Sequence, residues 1–399
     1  MIKTQIKYLI FLISILLISC QTTRVQIPAL GRLGEPREAQ TKPNPEKGHT
    51  VEMREDPVAR YMRALTIEQK IGQRFIAHIK GTELTPETVH LIQDVYAGGV
   101  ILYPWNVESK DQVKRLIDVI QQKSAENNLP LKLFICVDQE GGRVNAFKIK
   151  EVTRFPAPYY WAQYEDLYFV EAAAYITCRE IAALGCNMNF APVLDLYGNP
   201  DSTIIGDRSM GKDPSKVGMF GISYLRGAER AGVIAVFKHF PGHGSTTVDS
   251  HSRLPVVDTE ESELLKKDFW PFRMVIENGA EAVMTAHVLF SRIDPDYPVT
   301  LSERILRGML RNQFGFQGVV VSDGLSMGAL SYYYELTETL RLLFKSGVDL
   351  ILVHSKYDID DLKSRVYDLY IRGEITKDEI DEGVERILRL KLKYGLLPR

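Results

Sequence analysis

The chain has 399 residues, 45% of them apolar, and a net charge of −2 with no long basic or acidic run. This composition supplies a sizeable core and excludes a nucleic-acid surface built on clustered Lys and Arg. The length accommodates one large domain or two ordinary ones, and α/β barrels of about 250 or more residues commonly form single units.

The first twenty residues read as a processing signal. Lys3 and Lys7 precede an apolar run from Tyr8 to Ile18 that is too short for a comfortable membrane span. The run ends in Leu17-Ile18-Ser19-Cys20, which resembles the lipobox of bacterial lipoproteins. That resemblance implies a signal peptide over 1–19, cleavage before Cys20 and a lipid on Cys20. An ordinary secretory signal with an incidental cysteine is the competing reading. By the same resemblance, Gln21 in place of Asp favours the outer membrane of a diderm cell. The expected location is the cell envelope, exported and held to a membrane by the lipid. The remaining cysteines are Cys136, in an apolar strand-like run, and Cys178 and Cys186, in a helical pattern. Their odd number is no disulfide framework, so buried inert thiols are expected.

Residues 20–55 are polar, carry Pro28, Pro36, Pro43 and Pro45, and lack apolar periodicity, as a flexible tether would. Regular structure is expected from near Pro57, across a single unit over 56–399. Thr66-Ile67-Glu68-Gln69 has the pattern of a capping box. Short runs rich in β-branched residues then recur at 75–79, 99–103, 133–137, 188–193, 233–237, 282–285, 319–322 and 349–353. Amphipathic stretches separate most of them, as at 110–122, 168–184, 262–278 and 337–346, and a last helix is expected over 378–394. Continuous hydrophobicity marks strands buried on both faces, as in parallel sheets. Eight such strands alternating with helices predict a (β/α)₈ barrel of the TIM type, with an open doubly wound sheet as runner-up. No internal repeat or second C-terminal domain is visible.

In such barrels the chemistry sits where the strands end. Those ends carry Asp138-Gln139-Glu140-Gly141-Gly142-Arg143, then Asp195, Lys238-His239, His287 and Asp323. Any one of these is explained by packing; together they form a site. The densest segment runs from Lys238 to His251 and holds three of the eight histidines. Asp249 and His251, two residues apart, can face one point from a bent loop. A carboxylate on one imidazole nitrogen fixes the tautomer and leaves the other nitrogen for proton transfer. The same residue types suit a metal ion, yet only His78 follows the first strand, where metal-dependent barrels usually place a His-x-His pair. Gly324-Leu325-Ser326-Met327-Gly328 matches a serine nucleophile elbow, but only His354 follows Ser326 and no HGGG-type segment precedes it.

At these residues the chain resembles glycoside hydrolase family 3, within it the β-N-acetylglucosaminidases. The resemblance rests on Lys238–His251 (KHFPGHG…DSH), Asp138–Val144 (DQEGGRV), Asn189–Leu196 (NFAPVLDL), Gly206-Asp207-Arg208-Ser209, Met284-Thr285-Ala286-His287 and Ser322–Met327. It implies Asp323 as the nucleophile of a retaining exo-enzyme, with His251, oriented by Asp249, as acid and then base. It implies that Asp138, Arg208, Lys238 and His239 bind the hydroxyls and acetamido group of a terminal GlcNAc. No cofactor or metal is implied. The expected partners are a GlcNAc-containing glycan, from peptidoglycan fragments or chitin-type oligosaccharides, and a membrane through Cys20; a monomer is expected. A histidine donor adds no negative charge beside the departing oxygen, and its pKa lies near working pH. Three positions depart from the family pattern: Ser245 for Asp, Gly324 for Asp, and Asn145-Ala146 for Gln-Arg. The alternatives are a phosphorylase or β-glucosidase of the same family and, from another class, a non-catalytic sugar-binding lipoprotein.

Overall fold

A computed structural model describes residues 56–198, 204–244, 246 and 253–398. The expected signal, Cys20 and the whole of the expected tether over 20–55 lie outside the described residues. Each of the eight apolar runs forms a strand: β1 Phe75–His78, β2 Gly99–Leu102, β3 Phe134–Val137, β4 Met188–Asn189, β5 Ile234–Phe240, β6 Ala282–Thr285, β7 Val319–Val321 and β8 Ile351–Val353. All pair in parallel, in the ring order β8-β1-β2-β3-β4-β5-β6-β7. A bridge between Val321 and Leu350 closes β7 onto β8, with the Ser322 N–H donating to the Leu350 carbonyl at 2.8 Å. The sheet is therefore a barrel and not the open alternative.

Outer helices follow the strands in turn: α1 Pro86–Gln93, α2 Lys110–Ala125, α3 Leu167–Leu184, α4 Pro214–Ala231, α5 Trp270–Glu277, the wide-turned α6 Arg304–Gln313, α7 Leu336–Ser346, α8 Ile359–Ile371 and α9 Lys377–Lys393. The capping box forms as expected, with Thr66 and Gln69 exchanging side-chain and backbone hydrogen bonds. Three local expectations are corrected. The helix expected over 262–278 is two pieces, Glu261–Leu264 and α5, because Pro271 fits only the first turn of a helix. The strand expected over 188–193 stops at Asn189, since Pro192 has no N–H for a ladder. Cys186 lies past the end of α3, which Gly185 terminates at φ +106°; all three described cysteines are free and buried.

Successive strand residues serve two separate cores. Phe75, Ala77, Val100, Leu102, Ile135 and Val137 face the helices. Ile76, Ile101, Phe134, Cys136, Met188, Phe190, Ile234 and Val236 fill the barrel interior. This double burial is why the runs carry no polar alternation. The interior is completed from below by α9, whose Ile387 and Leu390 join the same cluster with Leu396.

One charged group shares that floor. Lys391 is fully buried, donates to Gln73 Oε1 at 2.7 Å and lies 5.1 Å from the centre of the Phe134 ring. Burial pushes its ammonium down to about 7. Unfolded, the amine keeps its proton to about pH 10.4, so the folded-state cost is full below pH 7 and lifts as pH rises towards 10. The stability of Lys391→Met relative to the parent, measured by urea denaturation, should therefore be more favourable at about pH 6 than at about pH 9.

Candidate active site

The end of β3 carries Asp138 and Glu140, and the end of β5 carries Lys238. The Lys238 ammonium lies between both carboxylates, 2.6 Å from Asp138 Oδ1 and 2.6 Å from Glu140 Oε1. Arg208, on the short turn Gly206–Arg208 after β4, reaches across to grip Glu140 with two bonds of 2.8 Å. Burial would raise the Glu140 carboxyl, but Arg208 and Lys238 outweigh it and hold it down to about 2. Burial likewise works against the Lys238 charge, and Asp138 and Glu140 overcome it, so its pKa is raised. Asp138 is the member of this group that keeps substantial side-chain exposure, 29% against 1% for Glu140.

A second buried acid–imidazole pair lies alongside. Asp195, wholly buried, accepts from His239 Nδ1 at 2.6 Å and from the backbone N–H of His243 at 2.7 Å. With Nδ1 committed to Asp195, His239 is oriented and its other nitrogen is available to a ligand. Gly244 must be glycine for packing: a Cβ there would meet the Leu196 carbonyl oxygen at 1.8 Å. Gly142, at φ +60°, turns the chain back after Glu140.

Asp323 follows β7. The Leu352 N–H donates to Ser322 Oγ at 3.0 Å and the Leu325 N–H to the Leu352 carbonyl at 3.2 Å, so the chain is stitched to β8 on both sides of Asp323. The Gly324 N–H donates to Asp323 Oδ1 at 2.7 Å. Burial tends to raise the Asp323 pKa, but His239, His287, that N–H and Lys238 prevail and set it below the ordinary carboxylate value. Asp323 is thus held as an anion, as a nucleophile must be.

Of the seven expected binding and catalytic residues, the structure brings together Asp138, Arg208, Lys238, His239 and Asp323. Asp249 and His251 lie outside the described residues. His287, one of the strand-end polar residues, is fully buried against Thr300 Oγ1 (2.7 Å) and the Gly324 carbonyl (3.1 Å), where it supports the backbone beside Asp323. Glu140 and Asp195 stand in the sequence only as strand-end polar residues; in the structure they anchor Lys238, Arg208 and His239. Tyr103, at the end of β2, was missed; both Asp138 and Asp323 act on its hydroxyl, after burial, to raise its pKa. Among the described residues no imidazole or carboxylate hydrogen-bonds the Ser326 hydroxyl, and no three His, Cys, Asp or Glu side chains converge as metal ligands.

Paired acids, cations and imidazoles thus gather at the strand ends of a closed (β/α)₈ barrel, with the anionic Asp323 beside them. Residues 66–390 match the sequence profile described as "Glycosyl hydrolase family 3 N terminal domain". The chain is 37% identical over 290 residues to a β-hexosaminidase of Methylobacillus flagellatus, covering 71% of this chain and 80% of that one. It is 32% identical over 335 residues to β-hexosaminidase A of Pseudoalteromonas piscicida, covering 78% of this chain and 56% of that one. A solved family 3 β-N-acetylglucosaminidase of Paenibacillus sp. str. FPU-7 superposes with a TM-score of 0.81 at 38% identity, over 83% of this chain and 63% of that one. The chain therefore spans less than two thirds of the length of two of these relatives. It belongs to glycoside hydrolase family 3, as its motifs had implied.

Glu140 serves two buried cations at once, so its loss strands both. Glu140→Ala should cost about 3–5 kcal/mol of folding stability, read from urea denaturation. Asp138→Ala, on the solvent side, should cost clearly less.

Proposed function

We propose that the protein is a β-hexosaminidase that releases terminal, non-reducing β-linked GlcNAc with retention of configuration. The observation that carries this reading is Asp323: an anionic carboxylate at the pocket, its pKa lowered, with its backbone braced by β8 and by His287. In the proposed cycle Asp323 attacks the anomeric carbon and forms a glycosyl-enzyme while the leaving oxygen takes a proton; water then displaces the sugar with proton transfer reversed. His251, oriented by Asp249, is assigned the acid and base role on the family motif. Lys238, Asp138 and Arg208, charge-balanced by Glu140, and His239 present donors and acceptors in a fixed array, which suits the hydroxyls and acetamide of a single sugar unit.

The proposed substrates are peptidoglycan fragments or chitin-type oligosaccharides. The proposed place of action is the cell envelope, with the chain lipid-anchored through Cys20. What supports this is the Leu17-Ile18-Ser19-Cys20 sequence and the polar, proline-bearing stretch that follows it.

Asp323→Ala should abolish release of chromophore from an aryl N-acetyl-β-glucosaminide, by about a thousandfold or more in kcat; retention of full activity would remove Asp323 from its assigned role. Product formation should be independent of phosphate, and phosphate dependence would mark a phosphorylase instead. His251→Ala should slow substrates with poor leaving groups far more than activated aryl ones, because only the former need a proton; equal loss on both would remove His251 as the acid.

A further inference from the structure

Beyond the pocket for one sugar, the end of β2 carries a feature that the chemistry above does not use. The chain leaves β2 through Tyr103 and makes a short turn, Pro104–Asn106. Trp105 on this turn is stacked on Tyr103, with ring centres 4.5 Å apart and planes 23° from parallel. Yet the Trp105 side chain remains 54% exposed. His354, at the end of β8, tilts against the same Tyr103 at 5.5 Å and stacks on His78 at 5.7 Å. Tyr103 in turn lies within the fields of Asp138 and Asp323. Tyr103 and Trp105 therefore form a stacked pair at the strand ends, its inner ring near the site acids and its outer ring an open indole.

The turn that displays Trp105 is rigidly held. Asn106 is fully buried and accepts from the Tyr103 N–H at 2.9 Å. Its amide donates to the carbonyls of Ile79 (3.0 Å) and Gly81 (2.7 Å), tying the β2 turn to the loop after β1. Gln112 adds bonds to the carbonyls of Asn106 (3.2 Å) and Thr82 (2.7 Å). These five amide hydrogen bonds fix the backbone on both sides of a side chain that contributes little to the core. Core packing does not account for such a brace. A pre-ordered aromatic face is what stacking on a ligand needs, since it loses little side-chain freedom on binding.

We propose that Trp105, seated on Tyr103, is the platform for a second saccharide ring, the one joined to the terminal sugar through the bond that is cleaved. Pyranose rings present a face of C–H groups that packs on an indole, while their hydroxyls stay in water. The ligand class is a neutral β-linked N-acetylhexosamine oligosaccharide of two or more units. This rests on the functional reading above and adds to it a preference for the glycan beyond the scissile bond.

The test compares the full chain with Trp105→Ala and Trp105→Phe on two glycosides, the β-1,4-linked GlcNAc disaccharide and methyl N-acetyl-β-glucosaminide, which lacks a second ring. Trp105→Ala should lower kcat/KM for the disaccharide about five- to tenfold, chiefly through KM. Trp105→Phe should restore most of it, and both variants should stay within about twofold of the parent on the methyl glycoside. An unchanged disaccharide rate, or equal loss on both substrates, overturns the platform. Binding is read separately by tryptophan emission in an Asp323→Ala background. The chain has three tryptophans, and Trp161 is only 1% exposed. Adding the disaccharide should shift the emission, and Trp105→Phe should remove the shift. A Trp105-dependent shift without cleavage of either glycoside would leave the platform standing and the functional reading wrong. Cleavage of both without any shift would do the reverse.

Discussion

The site depends on one ammonium group. Lys238 is buried to 2% exposure, and a lone charge there would be untenable; Asp138 and Glu140 neutralise it from the neighbouring quadrant of the barrel. Because Glu140 is shared with Arg208, the strand ends of β3 and β5 and the turn after β4 are locked to one another through four charges that cancel. The Asp195–His239 pair repeats the arrangement one step round the ring. The ionic groups of the two clusters are therefore paired within the protein itself. Donors and acceptors fixed in this way need not reorganise, which is the condition under which polar contacts favour a transition state.

Among the described residues, Asp323 differs from these acids in having no ion-paired partner in direct contact. Its neighbours act at longer range, and its hydrogen bond comes from a backbone N–H. The carboxylate is thus anionic without being tied up, whereas Glu140 is equally anionic and fully committed. That contrast separates an acid free to act, as proposed for Asp323, from an anchoring one more clearly than position along the strands does. The departures from the family pattern fit around this centre. Gly324 has only Met327 side-chain atoms near where a Cβ would stand, 3.8 Å away, so its lack of a side chain is not imposed by packing. Ala146 is buried at 3% beside Phe147 and carries no polar side-chain atom.

The barrel was legible because parallel strands covered on both faces write uninterrupted apolar runs, and eight such runs appeared with helical spacers between them. The site was legible as a set of polar residues placed at the ends of those runs. What the sequence could not display was the division of labour. Glu140 looked like part of a motif, and only the distances reveal it as the shared partner of two cations. Asp195 carried no role until His239 and His243 were found on it. The break before α5 was misread because the amphipathic period continues across Asp268, a residue buried by contact with Gly242 from another loop, which local pattern does not report. Tyr103 and Trp105 were missed for a related reason: an aromatic at the end of an apolar run is indistinguishable from core until its exposure is known.

The floor of the barrel has a consequence for how the chain reaches its native state. Ile387 and Leu390 of α9 seal the interior that Ile76 and Ile101 begin to form, some three hundred residues earlier, and β1 finds its second neighbour only in β8. A ribosome delivers these parts in order. The first strands must therefore wait, with apolar flanks unmatched, until the last helix has been made. Partial products would be sticky and open rather than stably folded, and completion of the fold would come as a late, concerted event.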